Sequence, residues 1–360
     1  MPDKHAAIRV CFVADYSGLI GGKERQLLEI LKFLQQEKVE FQVISLSSEG
    51  LLYTKLAELF PDRVLVIDRM KSHFIRTVSA LREFIRSHPE DKVYHAMDSL
   101  SILFLLIASC FFRKRIINGA IRHAGVEKSW AYLIDVLLLQ MSSVIIANSF
   151  AGLKYYHVRK GYVLYNAIDP TRFERTKGSP ASIVMVANFS DYKDHKTFFT
   201  ATAGLIREGR IISVGLVGDG KHQRQWKEFV RNEQLEPYYR FYGHNSRVEQ
   251  ILTEYGTGVL CSTKQYREGI SNSILEYMST GLLVVASDIG ATCEIIQSGY
   301  NGLLFEAENP ADLKDKLTFA LDNPESRHNM TSNAYVTLHE KFNYTANLNK
   351  LLNIYRESAE

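Results

Sequence analysis

Cysteine is scarce in this chain of 360 residues, and the four that occur are scattered at Cys11, Cys110, Cys261 and Cys293. The sequence has no C-x-x-C pair and no other metal-ligand spacing, which argues against a structural zinc site or a disulfide framework. We therefore expect reduced thiols, no bound metal and a cytoplasmic location. Cys11 lies in an apolar strand and should be a buried small hydrophobic residue.

Long apolar runs are also lacking. The longest, Leu100 to Phe112, is too short to span a bilayer and predicts a buried helix instead. Residues Met1 to Ala7 are polar, so we expect no signal peptide. A hydrophobic content of 46% and a charged content of 23% are typical of a globular protein, and this length predicts two domains.

The G-x-G-x-x-G fingerprint of dinucleotide-binding domains is absent, because Gly18, Gly21 and Gly22 have the wrong spacing. This argues against a nicotinamide or flavin enzyme. No helix-turn-helix or RNA-binding signature occurs either, so nucleic acid is not an expected partner.

Apolar strands alternate with helical patterns along the whole chain, which predicts an α/β protein with parallel sheets covered on both faces. One series of strands is predicted near 8–14, 41–46, 63–67, 92–96, 115–121, 143–147 and 162–165. A second series is predicted near 182–187, 211–217, 238–242, 257–260, 282–286 and 302–305. Two Rossmann-like domains, 1–170 and 175–340, would be joined near Asp169 to Ser179.

The most informative segment runs from Arg267 to Gly290 and reads R-E-G-I-S-N-S-I-L-E-Y-M-S-T-G-L-L-V-V-A-S-D-I-G. Ser271 and Asn272 are residue types that cap helix N-termini, and Gly281 suits the position after a helix, so a short helix over about 272–280 is predicted. An apolar strand follows it.

This helix is a candidate anion site with a carboxylate on each side. Gly269 lets the backbone approach a ligand, and the N–H groups of the first helical turn favour a phosphate. Glu276 could accept hydrogen bonds from a ribose diol. Glu268 would lie beyond the phosphate, near a sugar ring, because like charges would repel. Two glutamates around a short helix can equally be a cap and a solvated face.

The whole string, E-G-x-S-N-S-x-L-E-Y-M followed by G-x-x-V-V-A-S-D-I-G, Glu294 and S-G-Y-N-G-L-L-F, resembles the Glu-x7-Glu signature of retaining glycosyltransferases of family 4. The resemblance implies the GT-B fold, in which two Rossmann-like domains turn their parallel sheets toward a central cleft. It also implies that a C-terminal helix, at about 344–357 here, packs back on the first domain.

Segments of the first half resemble the same family. Gly21-Gly22 followed by Glu24 is similar to its G-G-x-E loop, whose glycines approach the donor sugar and phosphate. His123, in I-R-H-A-G, resembles the histidine that faces the sugar, and His95 is a rival for that role.

In the second half, Gly218 lies in G-L-V-G-D-G, which is similar to a family strand end, and Gly243 lies in R-F-Y-G-H, which resembles the segment whose loop frames the base. Near the domain junction, V-L-Y-N-A-I-D resembles the family's N-G-V-D segment, with Ala167 in place of the usual glycine.

Lys193 falls on the lysine that neutralises the donor diphosphate in the family. The arginine that often accompanies it is missing, because Asn188 stands there and Ser190 occupies the shifted position used by some members. Lys264 and Arg267 are the nearest candidates to supply the second positive charge.

Charge is uneven between the two halves. Residues 1–170 hold 22 Lys+Arg and 17 Asp+Glu, a net of +5, whereas the remainder holds 21 and 23, a net of −2. An anionic acceptor or membrane surface would suit the basic half, although a merely solvated surface is equally compatible. The residues concerned are Arg63, Arg69, Lys71, Arg76, Arg82 and Arg86, and the run Phe111-Phe112-Arg113-Lys114-Arg115.

The resemblance implies a metal-independent retaining glycosyltransferase without a cofactor, which moves a sugar, most simply from a UDP-sugar, to a hydroxyl of a saccharide or lipid-linked saccharide. It would act in the cytoplasm or peripherally on the inner face of the plasma membrane. An epimerase of the same fold and a non-catalytic sugar-nucleotide binding protein stay open as alternatives. The expected catalytic residues are Glu268, Lys193 and His123, and the expected donor-binding residues are Gly21, Gly22, Gly218, Gly243, Gly269, Ile270, Ser271, Asn272 and Glu276.

Overall fold

The computed structural model describes residues 8–15, 21–69, 71, 73–125, 130–245 and 247–360. The polar segment Met1–Ala7 and most of the loop before Gly21 lie outside the described residues. The chain divides into two compact units. The first comprises Met1–Arg122, Lys128–Asn166 and Thr345–Glu360, and the second comprises His123–Glu127 and Ala167–Tyr344.

The strands are, in chain order, β1 (Arg9–Ala14), β2 (Glu40–Ser45), β3 (Val64–Val66), β4 (Val93–Ala96), β5 (Arg115–Ile121), β6 (His123–Gly125), β7 (Val144–Ala147), β8 (Tyr162–Val163), β9 (Ser182–Val186), β10 (Ser213–Val217), β11 (Tyr239–Gly243), β12 (Thr257–Leu260), β13 (Arg267–Glu268), β14 (Leu283–Ser287) and β15 (Leu303–Phe305).

The α-helices are, in chain order, α1 (Gly22–Gln36), α2 (Leu51–Leu59), α3 (Phe74–Ser87), α4 (Ser99–Ser109), α5 (Trp130–Met141), α6 (Phe150–Tyr155), α7 (His195–Arg207), α8 (Gln223–Asn232), α9 (Val248–Leu252), α10 (Asn272–Thr280), α11 (Thr292–Ile295), α12 (Pro310–Asp322), α13 (Pro324–Lys341) and α14 (Tyr344–Ala359).

The first unit is built on a seven-stranded sheet in the order β3-β2-β1-β4-β5-β7-β8, and every pairing in it is parallel. Its central strands β1, β4 and β5 are almost entirely buried, because helices cover both faces of a parallel sheet. Helix α14 belongs to this unit from Thr345 onward, and the Tyr355 hydroxyl lies 2.7 Å from Nδ1 of His95 on β4.

The second unit has a six-stranded parallel sheet in the order β11-β10-β9-β12-β14-β15. In this order β9 and β12 lie side by side although they are far apart in sequence. The loops after these two strands therefore leave the same edge of the sheet next to each other, as at the ligand-binding edge of open α/β sheets.

The apolar runs predicted as strands each contain a strand of the structure, but one small sheet was not predicted. Strands β6 and β13 form a two-stranded antiparallel ladder, in which Glu268 lies opposite His123 and Arg267 opposite Gly125. Each strand is only two or three residues long and carries no apolar alternation, so the sequence pattern does not reveal the pair.

In the described part of the chain, none of the helices is both long enough and apolar enough to cross a bilayer. The predicted helix at Leu100 to Phe112 is found as α4, and residues such as Ile102, Phe104 and Leu105 on it are buried. Phe111 follows the helix and is 80% exposed.

Candidate functional site

Helix α10 has the bounds that its terminal residues predict. It begins at Asn272 after Ser271 and ends at Thr280, and the next residue, Gly281, has a left-handed backbone with φ of +79°. Ser271 is an N-cap residue type, yet its side chain makes no capping hydrogen bond to the helix. The cap side chain therefore does not occupy the positive end of the helix, where an anion would be stabilised.

Two side chains of α10 fix it to the carboxyl end of β9. The Ser273 hydroxyl donates to the carbonyl oxygen of Val186 at 2.8 Å. The hydroxyl of the fully buried Tyr277 accepts the N–H of Val186 at 2.7 Å and donates to the carbonyl of Val259 on β12 at 3.2 Å. The first turns of α10 are thereby held at the edge of the sheet where β9 and β12 end.

Lys193 and Glu268 form an ion pair beside this helix. Lys193 Nζ contacts Glu268 Oε1, and the Ser262 hydroxyl donates to the same oxygen at 2.8 Å. The two charged side chains are mostly buried, with 17% and 11% of their surface exposed. The charges attract more strongly there than in water, and each offsets the desolvation of the other. The structure thus brings together two of the predicted catalytic residues.

The third predicted catalytic residue, His123, lies on β6 directly opposite Glu268. Its ring is 5.8 Å from that of Tyr266, which in turn is 4.4 Å from the ring of Tyr192. Burial, followed by the nearby charge of Glu268, raises the pKa of Tyr266, so its hydroxyl stays protonated. These two tyrosines and Ser262 were not predicted as site residues. They reach the site through the ladder between β6 and β13 and through the bridge between Lys193 and Ser262, and both pairings join segments that are distant in sequence.

Gly290 explains why the backbone can close around Glu268. Its φ is +64°, and a Cβ at this position would lie 2.7 Å from the Glu268 nitrogen and even nearer to the Glu268 carbonyl oxygen. The next residue, Ala291, donates its N–H to that carbonyl at 2.7 Å. Only glycine fits this combination of left-handed backbone and close approach.

The two predicted glycines of the neighbouring loops meet in the structure. The N–H of Gly218 donates to the carbonyl of Gly243 at 2.9 Å. Gly218 has a φ of +143° and packs against the Ala187 backbone so closely that no Cβ could be accommodated. Gly243 has a φ of +65° and open space where a Cβ would be. Gly218 is therefore required by packing, whereas Gly243 is required only by its backbone conformation.

The remaining predicted donor-binding residues surround the start of α10. Gly269 and Ile270 are buried between β13 and the helix, and Ser271 is also buried. Glu276 lies farther along α10 and is only 5% exposed. The carboxylate of a buried glutamate needs hydrogen-bond donors. The position of Glu276 therefore suits a residue that accepts hydrogen bonds from ligand hydroxyl groups.

The position of the missing arginine is exposed, since Asn188 lies in the loop after β9. Lys264 is engaged elsewhere: Nζ lies 3.4 Å from Glu306, and its backbone N–H donates to Glu308. Arg267 is exposed and forms no ion pair with any residue that the structure describes. Of the two candidates for the second positive charge, Arg267 is therefore the better placed.

An unpredicted cation lies on the glycine turn. Lys221 Nζ and His222 Nε2 both contact the carboxylate of Asp191, which is two residues before Lys193. These hydrogen bonds hold the pKa of Asp191 below its usual value. The sequence signal would have been the position of Lys221 directly after the turn that ends at Gly220.

Gly21 and Gly22 belong to the first unit, where the loop closes the start of α1. The Gly21 N–H donates to Glu24 Oε2 at 2.9 Å, which is half of a capping box. Burial raises the pKa of Glu24. The Glu24 carboxylate thus has a local structural role in the G-G-x-E segment.

His95, the rival of His123, is a core residue. It is fully buried on β4, its Nδ1 lies 2.7 Å from the Tyr355 hydroxyl, and burial lowers its pKa to about 3. A neutral, enclosed imidazole of this kind stabilises the first unit, and His123 is left as the candidate site histidine.

Residues 169–337 match the family model of glycosyl transferases group 1. This range contains the predicted residues of the second unit other than His123.

An uncharacterized glycosyltransferase of Methanocaldococcus jannaschii is 32% identical over 120 residues, which cover 33% of each chain. The N,N'-diacetylbacillosaminyl-diphospho-undecaprenol alpha-1,3-N-acetylgalactosaminyltransferase of Campylobacter jejuni is 27% identical over 152 residues, 42% of this chain and 38% of that one. The matches therefore span well under half the length of these relatives.

Solved structures match over nearly the whole chain. HepE of Anabaena, solved in complex with UDP and glucose, has a TM-score of 0.82 at 19% identity, covering 97% of this chain and 100% of that one. TarM of Staphylococcus aureus has a TM-score of 0.78 at 11% identity, covering 97% and 99%. At this identity the likeness concerns the fold, and the predicted GT-B fold is confirmed.

Proposed function

We propose that this chain is a retaining glycosyltransferase that uses a UDP-sugar donor; the match of residues 169–337 to the family model of glycosyl transferases group 1 supports this proposal. The observation that carries the proposal is the cluster of Lys193, Glu268 and Ser262 beside the start of α10. It combines a cation for a diphosphate, a carboxylate for sugar hydroxyls and a helix N-terminus for phosphate oxygens.

In this proposal the donor diphosphate lies at the N–H groups of Ile270 to Asn272, and Lys193 Nζ turns from Glu268 toward it. Negative charge grows on the diphosphate as the bond to the sugar breaks, so a fixed cation and a helix dipole stabilise the transition state more than the ground state. Glu268 then accepts hydrogen bonds from the sugar, with His123 opposite it, and Glu276 holds the ribose. The departing diphosphate takes the proton of the acceptor hydroxyl on the same face of the sugar.

For the acceptor we propose a lipid-linked saccharide and, as a second partner, an anionic membrane surface. The Campylobacter relative is named for an undecaprenol-linked acceptor, and the first half of this chain is basic. Some of these basic residues are bound within the chain and are therefore less available to contact a membrane. Arg69 pairs with Asp15 at 2.7 Å, and Lys114 Nζ donates to the carbonyls of Pro89 and Asp91.

The donor part of the proposal is tested by thermal unfolding with a panel of nucleotide sugars, including UDP-glucose, UDP-N-acetylglucosamine, GDP-mannose and ADP-glucose. A ligand at a hundred times its Kd adds about 2.7 kcal/mol to stability, so the preferred donor should raise the Tm distinctly. Glu276→Ala should weaken UDP binding by about 1–3 kcal/mol. Glu340→Ala, which removes an exposed glutamate of α13, is the matched control and should leave binding unchanged.

Turnover separates the proposal from its alternatives. A transferase should consume donor only when membrane lipids carrying saccharide acceptors are added, and the labelled sugar should move into the lipid fraction. An epimerase would convert donor without acceptor, and a binding protein would show stabilisation without turnover. Stabilisation by no nucleotide sugar at all would refute the proposal.

A further inference from the structure

Helix α5, of sequence W-A-Y-L-I-D-V-L-L-L-Q-M, is apolar around its whole circumference apart from Asp135 and Gln140. One side belongs to the core of the first unit, where Tyr132, Leu138 and Leu139 are buried. A helix that is hydrophobic on all sides is normally covered on all sides, either by protein or by lipid.

No part of the chain that the structure describes covers the opposite side of α5. Trp130, Leu133, Ile134, Leu137 and Met141 are each more than half exposed. Their spacing of three, four, seven and eleven residues from Trp130 places them in one line along the helix. We call these five residues the α5 stripe. It runs the full length of the helix, roughly 18 Å at 1.5 Å per residue. Single exposed apolar residues are ordinary, but a contiguous patch marks an interaction surface.

Cations gather near the end of the α5 stripe. The turn after α5 is tied to the start of β5, because the N–H of Ser143 donates to the carbonyl of Ile116 at 3.0 Å. Parallel strands begin at one edge of the sheet, so Arg115 before Ile116 and Lys160 before β8 lie at this edge. Arg115 and Lys160 are exposed, as are the neighbouring Arg113 and Arg159.

The stretch of sequence from α5 to β8 contains few acidic residues. Between residues 130 and 162 the chain has three Lys or Arg, namely Lys154, Arg159 and Lys160, and one acid, Asp135. The Asp135 carboxylate accepts a hydrogen bond from Tyr156 at 3.2 Å. At the same edge the Tyr162 hydroxyl donates to Glu357 at 3.2 Å. The exposed cations Arg115, Arg159 and Lys160 therefore outnumber the two nearby acids, Asp135 and Glu357.

A cavity of about 830 Å³ opens at the same edge, between α5 and residues 156–162. Gln140, Ser142 and Ser143 line one side of it, and Arg159 and Lys160 line the other. The Ser142 hydroxyl donates to the Leu138 carbonyl at 2.7 Å, so Arg159 and Lys160 are the lining groups that suit a phosphate ester.

We propose that the α5 stripe inserts into the hydrocarbon border of a bilayer containing anionic phospholipid, while Arg115, Arg159 and Lys160 contact the headgroups. Apolar residues in the acyl region and cations at headgroup level are the two contributions that hold an interfacial helix. This inference deepens the membrane part of the proposed function and rests on it, but it does not depend on the sugar transfer. A second copy docked on the same stripe is the competing occupant, and the measurements below distinguish it from lipid.

The test is co-sedimentation of the full chain with vesicles of phosphatidylcholine, with and without phosphatidylglycerol. Binding should require phosphatidylglycerol. The double variant Leu133→Glu with Leu137→Glu should lower the partition coefficient at least about tenfold, because charges would enter the apolar region. Arg159→Glu with Lys160→Glu should lower it by at least about thirtyfold, since each basic residue contributes about fivefold. The control is Ile212→Glu, an equally exposed apolar residue of the second unit.

The depth to which the α5 stripe inserts into the bilayer is measured through the fluorescence of Trp130, one of two tryptophans in the chain. Lipids brominated on the acyl chain should quench its fluorescence, and Trp130→Phe should remove the quenched component. Unchanged vesicle binding in the stripe variant would overturn the inference. So would a wild-type dimer that ignores vesicles and becomes monomeric in the stripe variant, because a second copy would then be the occupant. Nucleotide-sugar stabilisation of the same variants reports on the proposed function separately.

Discussion

The ion pair between Lys193 and Glu268 allows the structural and chemical roles of one contact to be separated. The perturbation is a set of three variants: Lys193→Met, Glu268→Gln and the double variant. Methionine keeps much of the length of the lysine stem, and glutamine keeps the acceptor oxygen to which the Ser262 hydroxyl donates. Each single variant removes one charge and leaves the other in a mostly buried position.

The magnitude follows from that burial. Removing one partner of a buried pair costs about 3–5 kcal/mol, and we expect about 3 kcal/mol because both side chains keep some exposure. Replacing both charges leaves no uncompensated charge, so the double variant should be nearly as stable as the wild type. Two single losses of about 3 kcal/mol each and almost no loss in the double variant correspond to a coupling free energy of about 6 kcal/mol.

Turnover should respond differently. If Lys193 stabilises the developing diphosphate charge, Lys193→Met lowers kcat at least about a hundredfold. The double variant should regain the free energy of unfolding but not the turnover, because no cation has returned. The measurements are urea unfolding and donor consumption on the same preparations. Recovery of turnover in the double variant would show that the pair is only structural. Equal stability of all four proteins would show that the pair does not form in solution.

Two further predictions concern the backbone and the buried imidazoles. Gly290→Ala should lose more stability than Gly299→Ala and should lower turnover at least about tenfold, because a Cβ at Gly290 meets the Glu268 backbone whereas Gly299, with φ of +82°, has open space. Urea unfolding and kinetics compare the two variants. Equal losses of about 1–2 kcal/mol would leave only the left-handed backbone as the cause. Burial lowers the pKa of His195 to about 4. The unfolded chain therefore binds more protons between pH 6.5 and 4, so stability should fall as the pH falls through this range, by up to about 1.4 kcal/mol per pH unit from this residue. Titrating unfolding against pH should give a shallower slope for His195→Phe, and an unchanged slope would contradict the assignment.

Local sequence signals were sufficient to predict much of this fold. Apolar runs mark the strands because parallel strands are buried on both faces. The ends of α10 follow from Ser271 and Gly281, since both act within one turn of the helix. The family motifs likewise place Glu268 and Lys193, which the ion pair brings together.

What the sequence could not predict depends on contacts between distant segments. The ladder of β6 and β13 joins residues more than a hundred positions apart without any periodic pattern. Tyr266 contacts His123 because of that ladder, whereas Ser262 is held at the ion pair by its bridge to Lys193. The predicted basic surface also differs from the structure, because Arg69 and Lys114 bind partners that are distant in sequence.

The α5 stripe shows a different limit. In the sequence, Leu133, Ile134 and Leu137 look like ordinary core residues, because hydrophobicity gives no information about which side of a helix lacks a partner. The structure resolves this through the burial of Tyr132 and Leu139 on the other side.

The two units of this protein are interleaved along the chain. His123–Glu127 belongs to the second unit, although the residues before and after it belong to the first. A fragment that started at Ala167 would contain β13 but not β6, so the short strand that carries Glu268 would present an open edge. Such a fragment would also lack the histidine opposite Glu268. Attempts to study the second unit by itself would therefore need to supply residues 123–127 as a peptide or by circular permutation, and rescue of nucleotide binding by that peptide would report how much of the site this single ladder organises.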